Sequence, residues 1–144
     1  MAAAGYGYNA GASDRPWPCA NSRTLVGMSS EPVVVTSTTD NEEAARALAA
    51  AAIDARLGAC AQVVGPITSV YRWEGEVQTE QEWRVEIKTA ADRVAALTEH
   101  IKANHSYEVP EVIATPITGG SPEYLSWLVN ETRPPLPRHG DISG

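Results

Sequence analysis

Hydrophobic and polar positions along the middle of the chain follow two different periods, and the switches between them lay out the elements. Val33, Val34 and Val35 form a β-branched run that predicts a buried first strand, broken by Thr36 to Thr39. Asp40 then predicts a helix start, with Glu43 three residues on in capping-box position and Glu42 also favourable at the positive helix end. Ala45, Leu48, Ala49, Ala52, Ile53 and Leu57 recur at helical spacing, which predicts an amphipathic helix that Gly58 stops.

The period next becomes two. Residues 60–73 and 77–89 read as strands around Glu74-Gly75-Glu76, with Ile67, Tyr71 and Trp73 alternating on one and Trp83, Val85 and Ile87 on the other. A two-residue turn would set Ile67 opposite Glu82 and Tyr71 opposite Gln78, mixing apolar and polar side chains. A three-residue turn sets Trp73 opposite Val77, Tyr71 opposite Thr79, Ile67 opposite Trp83 and Val63 opposite Ile87. That register gives one continuous apolar face and is the expected one. Pro66 has no N–H to donate, so Gly65-Pro66 predicts a bulge or kink mid-strand. One helix layer does not cover so long a hairpin, and its far end, with Tyr71 and Trp73, is expected to pack on another subunit.

A second helix is predicted over residues 92–104, burying Val94, Leu97 and Ile101, and a fourth strand over 112–117. Ser121-Pro122 opens a short last helix that runs to Asn130. The order β-α-β-β-α-β with right-handed crossovers predicts an α+β, ferredoxin-like fold. It has a four-stranded antiparallel sheet, both main helices on one face, and a short C-terminal helix.

The ends of the chain carry neither period. Residues 1–30 are rich in Ala, Gly, Ser and Asn and read as a disordered extension, or as a start assigned upstream of Met28. Their few acids and Arg15 and Arg23 also suit an organelle transit peptide. The domain is expected over residues 31–133 and a flexible tail over 134–144. A length of 144 residues allows one domain with its own core.

Charge narrows the function classes. The chain carries 11 Lys and Arg against 18 Asp and Glu, a net charge of −7. Residues 31–133 hold eight basic and sixteen acidic side chains, so the excess lies in the folded part. That argues against a nucleic-acid binder and against a polybasic membrane anchor. No apolar run approaches the roughly 20 residues of a membrane span. Two cysteines, Cys19 and Cys60, make no disulfide framework and point to a reducing compartment: the cytoplasm, or an organelle if residues 1–30 are a transit peptide. No phosphate loop, dinucleotide fingerprint, serine elbow or zinc-protease motif occurs, and no nucleophile–base pair can be assembled, so no enzyme is expected.

The densest polar cluster is His105-Ser106-Tyr107-Glu108-Val109-Pro110-Glu111, where the second helix meets the fourth strand. Imidazole and carboxylate together suit Cu(II) or Zn(II), which makes His105, Glu108 and Glu111 candidate ligands, with Cys60 as a soft donor. The plainer reading has His105 capping the helix, Tyr107 packing, and Cys60 as a small buried hydrophobe. Lys88, Glu86, Arg84 and Glu82 share the strand face opposite Val85 and Ile87 and read as a solvated row of charge pairs.

From Val33 to about Trp127 the chain resembles the CutA divalent-cation tolerance family. The resemblance rests on VVVTSTTD, RLGACAQVVGPITSVYRWEGEV, EIKTAADRV, IKANHSYEVPEVIATPI and PEYLSWL, in that order. It implies a ferredoxin-like protomer in a homotrimer that binds copper or other divalent cations in metal tolerance, with clefts where subunits meet. The copper ligands it implies fall on Ser37, Asn104 and His105, of which only His105 carries the family's residue type. His105 with Glu108 or Glu111, or with Cys60 across a subunit boundary, would form a site of modest affinity. A second reading makes the protein a signal-sensing or scaffold module. Its inter-subunit cleft, lined by Tyr71, Trp73, Lys88 and Tyr107, would hold a small anion against Lys88.

Overall fold

The structure, a computed structural model, describes residues 29–134. Expectations for residues 1–28 and 135–144 lie outside the described residues. Strand β1 (Pro32–Thr39) leads into helix α1 (Glu42–Asp54), then into strands β2 (Cys60–Trp73) and β3 (Glu76–Ala90). A single 3-10 turn (Ala91–Arg93) opens helix α2 (Val94–Ala103), followed by β4 (Ile113–Pro116) and helix α3 (Pro122–Asn130). The strands form one antiparallel sheet in the order β2-β3-β1-β4, which is the ferredoxin-like arrangement the sequence predicts.

Alternation along the strands sends two sets of side chains to two faces. Val33, Val35, Val85 and Ile87 point to the face that α1 and α2 cover, where Leu48, Ala52, Leu97 and Ile101 meet them, all essentially inaccessible. Helix α3 lies on the other face, where Lys88 Nζ sits 5.8 Å from the centre of the Tyr124 ring.

Two helix-end signals land on different residues from those expected. Asn41, not Asp40, caps α1: its Oδ1 accepts from Ala44 N at 2.7 Å, and its amide donates to Asp40 Oδ1 at 2.8 Å. Past the last turn of α1 the left-handed position is taken by Arg56 (φ 57°) rather than by Gly58. Gly58 serves another purpose, because a Cβ there would sit 2.4 Å from Ile87 Cγ2, so only glycine lets this connection lie against the core. Leu57, expected in the helical stripe, is buried beyond the end of the helix, and Ile53 stays partly exposed.

The hairpin register corrects the sequence expectation. Trp73 pairs with Glu76, Tyr71 with Gln78, Ile67 with Glu82 and Val63 with Val85. The turn is the two-residue loop Glu74-Gly75, with positive φ at both residues (49° and 81°), a backbone that follows the natural twist of paired strands. The bulge expected at Gly65-Pro66 is present as a register shift between Val64 and Ile67. One extra residue in β2 there moves every later side chain to the opposite face. Ile67 and Tyr71 therefore lie on the face of Glu82, not on that of Trp83.

Candidate functional site

The inverted face of the distal hairpin meets the segment between α2 and β4, and the two enclose a cleft of about 500 Å³. Thr38, Ser69, Tyr71, Glu82, Tyr107 and Glu111 are the polar residues of its lining, with Val109, Val112 and Ile113 among the apolar ones. Glu82 is 1% exposed, a carboxylate taken almost wholly out of water. Tyr107 Oη donates to Glu82 Oε2 at 3.1 Å. Burial first, then the Glu82 carboxylate and the fields of Asp40 and Glu80, hold the Tyr107 hydroxyl protonated well above the ordinary phenol range.

His105 fixes the segment that carries Tyr107. Its Nδ1 accepts from the Tyr107 backbone N–H at 3.0 Å, so Nε2 carries the ring proton and donates to Thr38 O at 2.7 Å. The His105 and Tyr107 rings lie in contact with their centroids 4.5 Å apart and their planes tilted by 49°. The imidazole thus latches the 105–113 segment to the end of β1, and both of its nitrogens are used in doing so.

The candidates named from sequence fall into separate places. Tyr71, Tyr107 and Glu111 line the cleft, while Glu108 is exposed beside it. Trp73 and Lys88 are not part of its lining: Trp73 is at the hairpin tip opposite Glu76, and Lys88 pairs with Cys60 at the other end of the sheet. Lys88 Nζ donates to Gln62 Oε1 at 3.3 Å there. Cys60 is a half-buried free thiol opposite Lys88, away from the cleft lining of its own chain. Among the described residues no group of three or more His, Cys, Asp or Glu is placed to hold a metal ion.

The copper ligand positions implied by resemblance do not fit that centre either. Ser37 Oγ is buried on the helix-covered face without a hydrogen-bond partner, and the Asn104 amide donates to His100 O at 2.8 Å. Sequence reasoning missed Glu82, which it placed in a solvated row. The two-residue turn register, weighed and set aside, was the signal that would have put Glu82 opposite Ile67 and on the face of Tyr71.

The family described as CutA1 divalent ion tolerance protein matches residues 33–131. The chain belongs to this family. "Protein CutA 1, chloroplastic" of Oryza sativa subsp. japonica is 54% identical over 101 residues, which span 70% of this chain and 57% of that protein. "Divalent-cation tolerance protein CutA" of Thermus thermophilus is 46% identical over 99 residues, 69% of this chain and 96% of that protein. The crystal structure of CutA1 from Oryza sativa superposes with a TM-score of 0.70 at 51% identity, covering 73% of this chain and 96% of that one. The chain thus spans little more than half the length of its rice relative, and nearly all of the bacterial one.

Proposed function

We propose that the protein is a homotrimer that acts in tolerance to divalent cations, binding them with modest affinity through carboxylates and not through a copper centre of His and Cys type. The observation that carries this reading is the use of both His105 nitrogens in the latch, which leaves Glu108 and Glu111 as the outward-facing donors of that segment. Carboxylates are hard donors suited to Mn(II) and Mg(II), and bind Cu(II) less selectively than imidazole with thiolate. Self-association is supported by the open edges at β2 and β4 and by Val70 and Val77, 65% and 61% exposed on the distal hairpin. Tyr71, expected to need a second subunit for burial, is covered by its own chain, so the argument passes to these two valines.

Titration calorimetry of the metal-free protein with Cu(II) and Mn(II) tests the cation reading. Binding weaker than micromolar, abolished by Glu108→Gln with Glu111→Gln and nearly unchanged in His105→Ala, is the expected result. Tight Cu(II) binding lost in His105→Ala would overturn it, and a gain in Ser37→Cys would mean that the copper site lacks only its thiolate. Sedimentation equilibrium giving the mass of a single chain would overturn the trimer.

A second reading, a small-molecule sensor, is favoured by one specific observation: the fully buried Glu82 lines a cleft of ligand size. Two plant relatives, from rice and from Arabidopsis thaliana, carry "chloroplastic" in their names, which supports the organelle alternative for compartment over the cytoplasm. No helix among the described residues is long and apolar enough to cross a membrane.

A further inference from the structure

We infer that the cleft at Glu82 takes a small organic cation, an ammonium group carried on an apolar body. This rests on the reading of the cleft as a ligand site; Glu111 lines that cleft as well as standing among the proposed metal donors, whereas Glu108 lies outside the lining.

The charge of the ligand follows from Glu82. A buried carboxylate is costly unless a hydrogen bond or a positive charge compensates it. Tyr107 supplies a hydrogen bond but no charge. Arg84, two positions along the same strand face, is held by Glu86 at 2.8 Å. The other ion pairs among the described residues, Arg46–Glu42, Lys102–Glu99 and Arg133–Asp92, do not include Glu82. Glu111 adds a second carboxylate to the lining, and the fields of Asp40 and Glu80 act on Tyr107 with the same sign as that of Glu82. Every charge facing the cleft is negative, so an anion is repelled and a cation is drawn in.

The shape of the ligand follows from the walls. Tyr71 and Tyr107, 9% and 6% exposed, put two aromatic rings into the lining that Glu82 shares, and aromatic rings and a carboxylate in one cleft favour an ammonium group over a neutral head. Val109, Val112 and Ile113 then offer an apolar surface for a hydrocarbon body. A fully hydrated metal ion makes no use of that wall. A volume of about 500 Å³ lies within the range of small-molecule sites.

The test uses three probes of nearly one shape and different charge: phenethylamine, 2-phenylethanol and 3-phenylpropionate, titrated by calorimetry into the full chain. Phenethylamine alone is expected to bind, and Glu82→Gln is expected to weaken it at least tenfold with sedimentation and circular dichroism unchanged. Tyr107→Phe keeps the ring and is expected to keep binding within about threefold. The charge series runs on the parent protein, so it decides even if Glu82→Gln fails to fold. Equal binding of all three probes, preference for 3-phenylpropionate, or no binding at millimolar concentration would each overturn the inference. So would displacement of phenethylamine by Mn(II) that persists in Glu111→Gln, which would place the metal on Glu82 itself. Phenethylamine binding in a protein that ignores Mn(II) and Cu(II) would instead support the inference and sink the metal reading.

Discussion

The two halves of the β2–β3 hairpin are built from similar strand-forming residues but end in opposite environments. In the half next to β1, Val63 pairs with Val85 and Ala61 with Ile87, under a full layer of helix. In the distal half, past the bulge at Gly65-Pro66, Ile67 pairs with Glu82 and Tyr71 with Gln78. One inserted residue produces the difference, since it exchanges the two faces of every position beyond it. The proximal half gains a dry core. The distal half gains a buried carboxylate that accepts from a tyrosine hydroxyl, which burial of apolar area would never select. That half adds little to the core of one chain, and it is the half that provides a cleft and an exposed apolar face.

The largest expected effect on this contrast is on assembly. Val70→Asp combined with Val77→Asp puts two charges on the exposed distal face and is expected to leave single chains in place of the proposed trimer, read as mass by sedimentation equilibrium. The folded protomer should survive, because exposed substitutions usually change stability by only about 0.5 kcal/mol. Next in size is Ile87→Ala in the proximal half. Ile87 is fully buried, and its loss should cost about 2–5 kcal/mol in urea unfolding at fixed protein concentration, without altering ligand binding in the cleft. Gly75→Ala tests the turn that sets the distal register. A side chain at φ 81° should cost about 1 kcal/mol, and an unchanged midpoint would mean that the turn adopts another conformation.

Most of the fold was legible because helix and strand periods are properties of local sequence. The run of three valines, the stripe Ala45 to Ala52, and Ser121-Pro122 each specify an element with little help from elsewhere. Helix ends were less legible, since Asp40 and Asn41 are both good caps and the choice depends on where the first turn begins. The register was misread for a clear reason. Matching apolar side chains across a hairpin assumes that both halves serve one core. The bulge that the sequence did signal at Pro66 breaks that assumption. Only part of the candidate site could be read, because its key contacts join residues far apart in the chain. Tyr107 and Glu82 are 25 positions apart, and His105 and Thr38 are 67 apart. No spacing rule encodes such pairs. The chemistry of the His105 cluster was visible, but its use as a latch was not.

The smallest effect isolates the contact that joins the two halves of the cleft. Tyr107→Phe removes one hydrogen bond to a charged acceptor and leaves the ring in place, so near neutral pH it should cost about 1.5 kcal/mol. Its pH dependence is the sharper measurement. The folded state holds the Tyr107 proton more tightly than the unfolded chain, where the phenol titrates at its ordinary value of 10.0. Below that pH both states keep the proton and stability from this group is flat. Above it the unfolded state releases the proton first, binds fewer protons than the folded state, and stability falls as pH rises. Urea midpoints taken from pH 8 to pH 11 should therefore drop more steeply in the parent than in Tyr107→Phe. Parallel curves would mean that Tyr107 is solvated in solution and that the wall between it and Glu82 is open, which would remove the buried carboxylate from the distal half altogether.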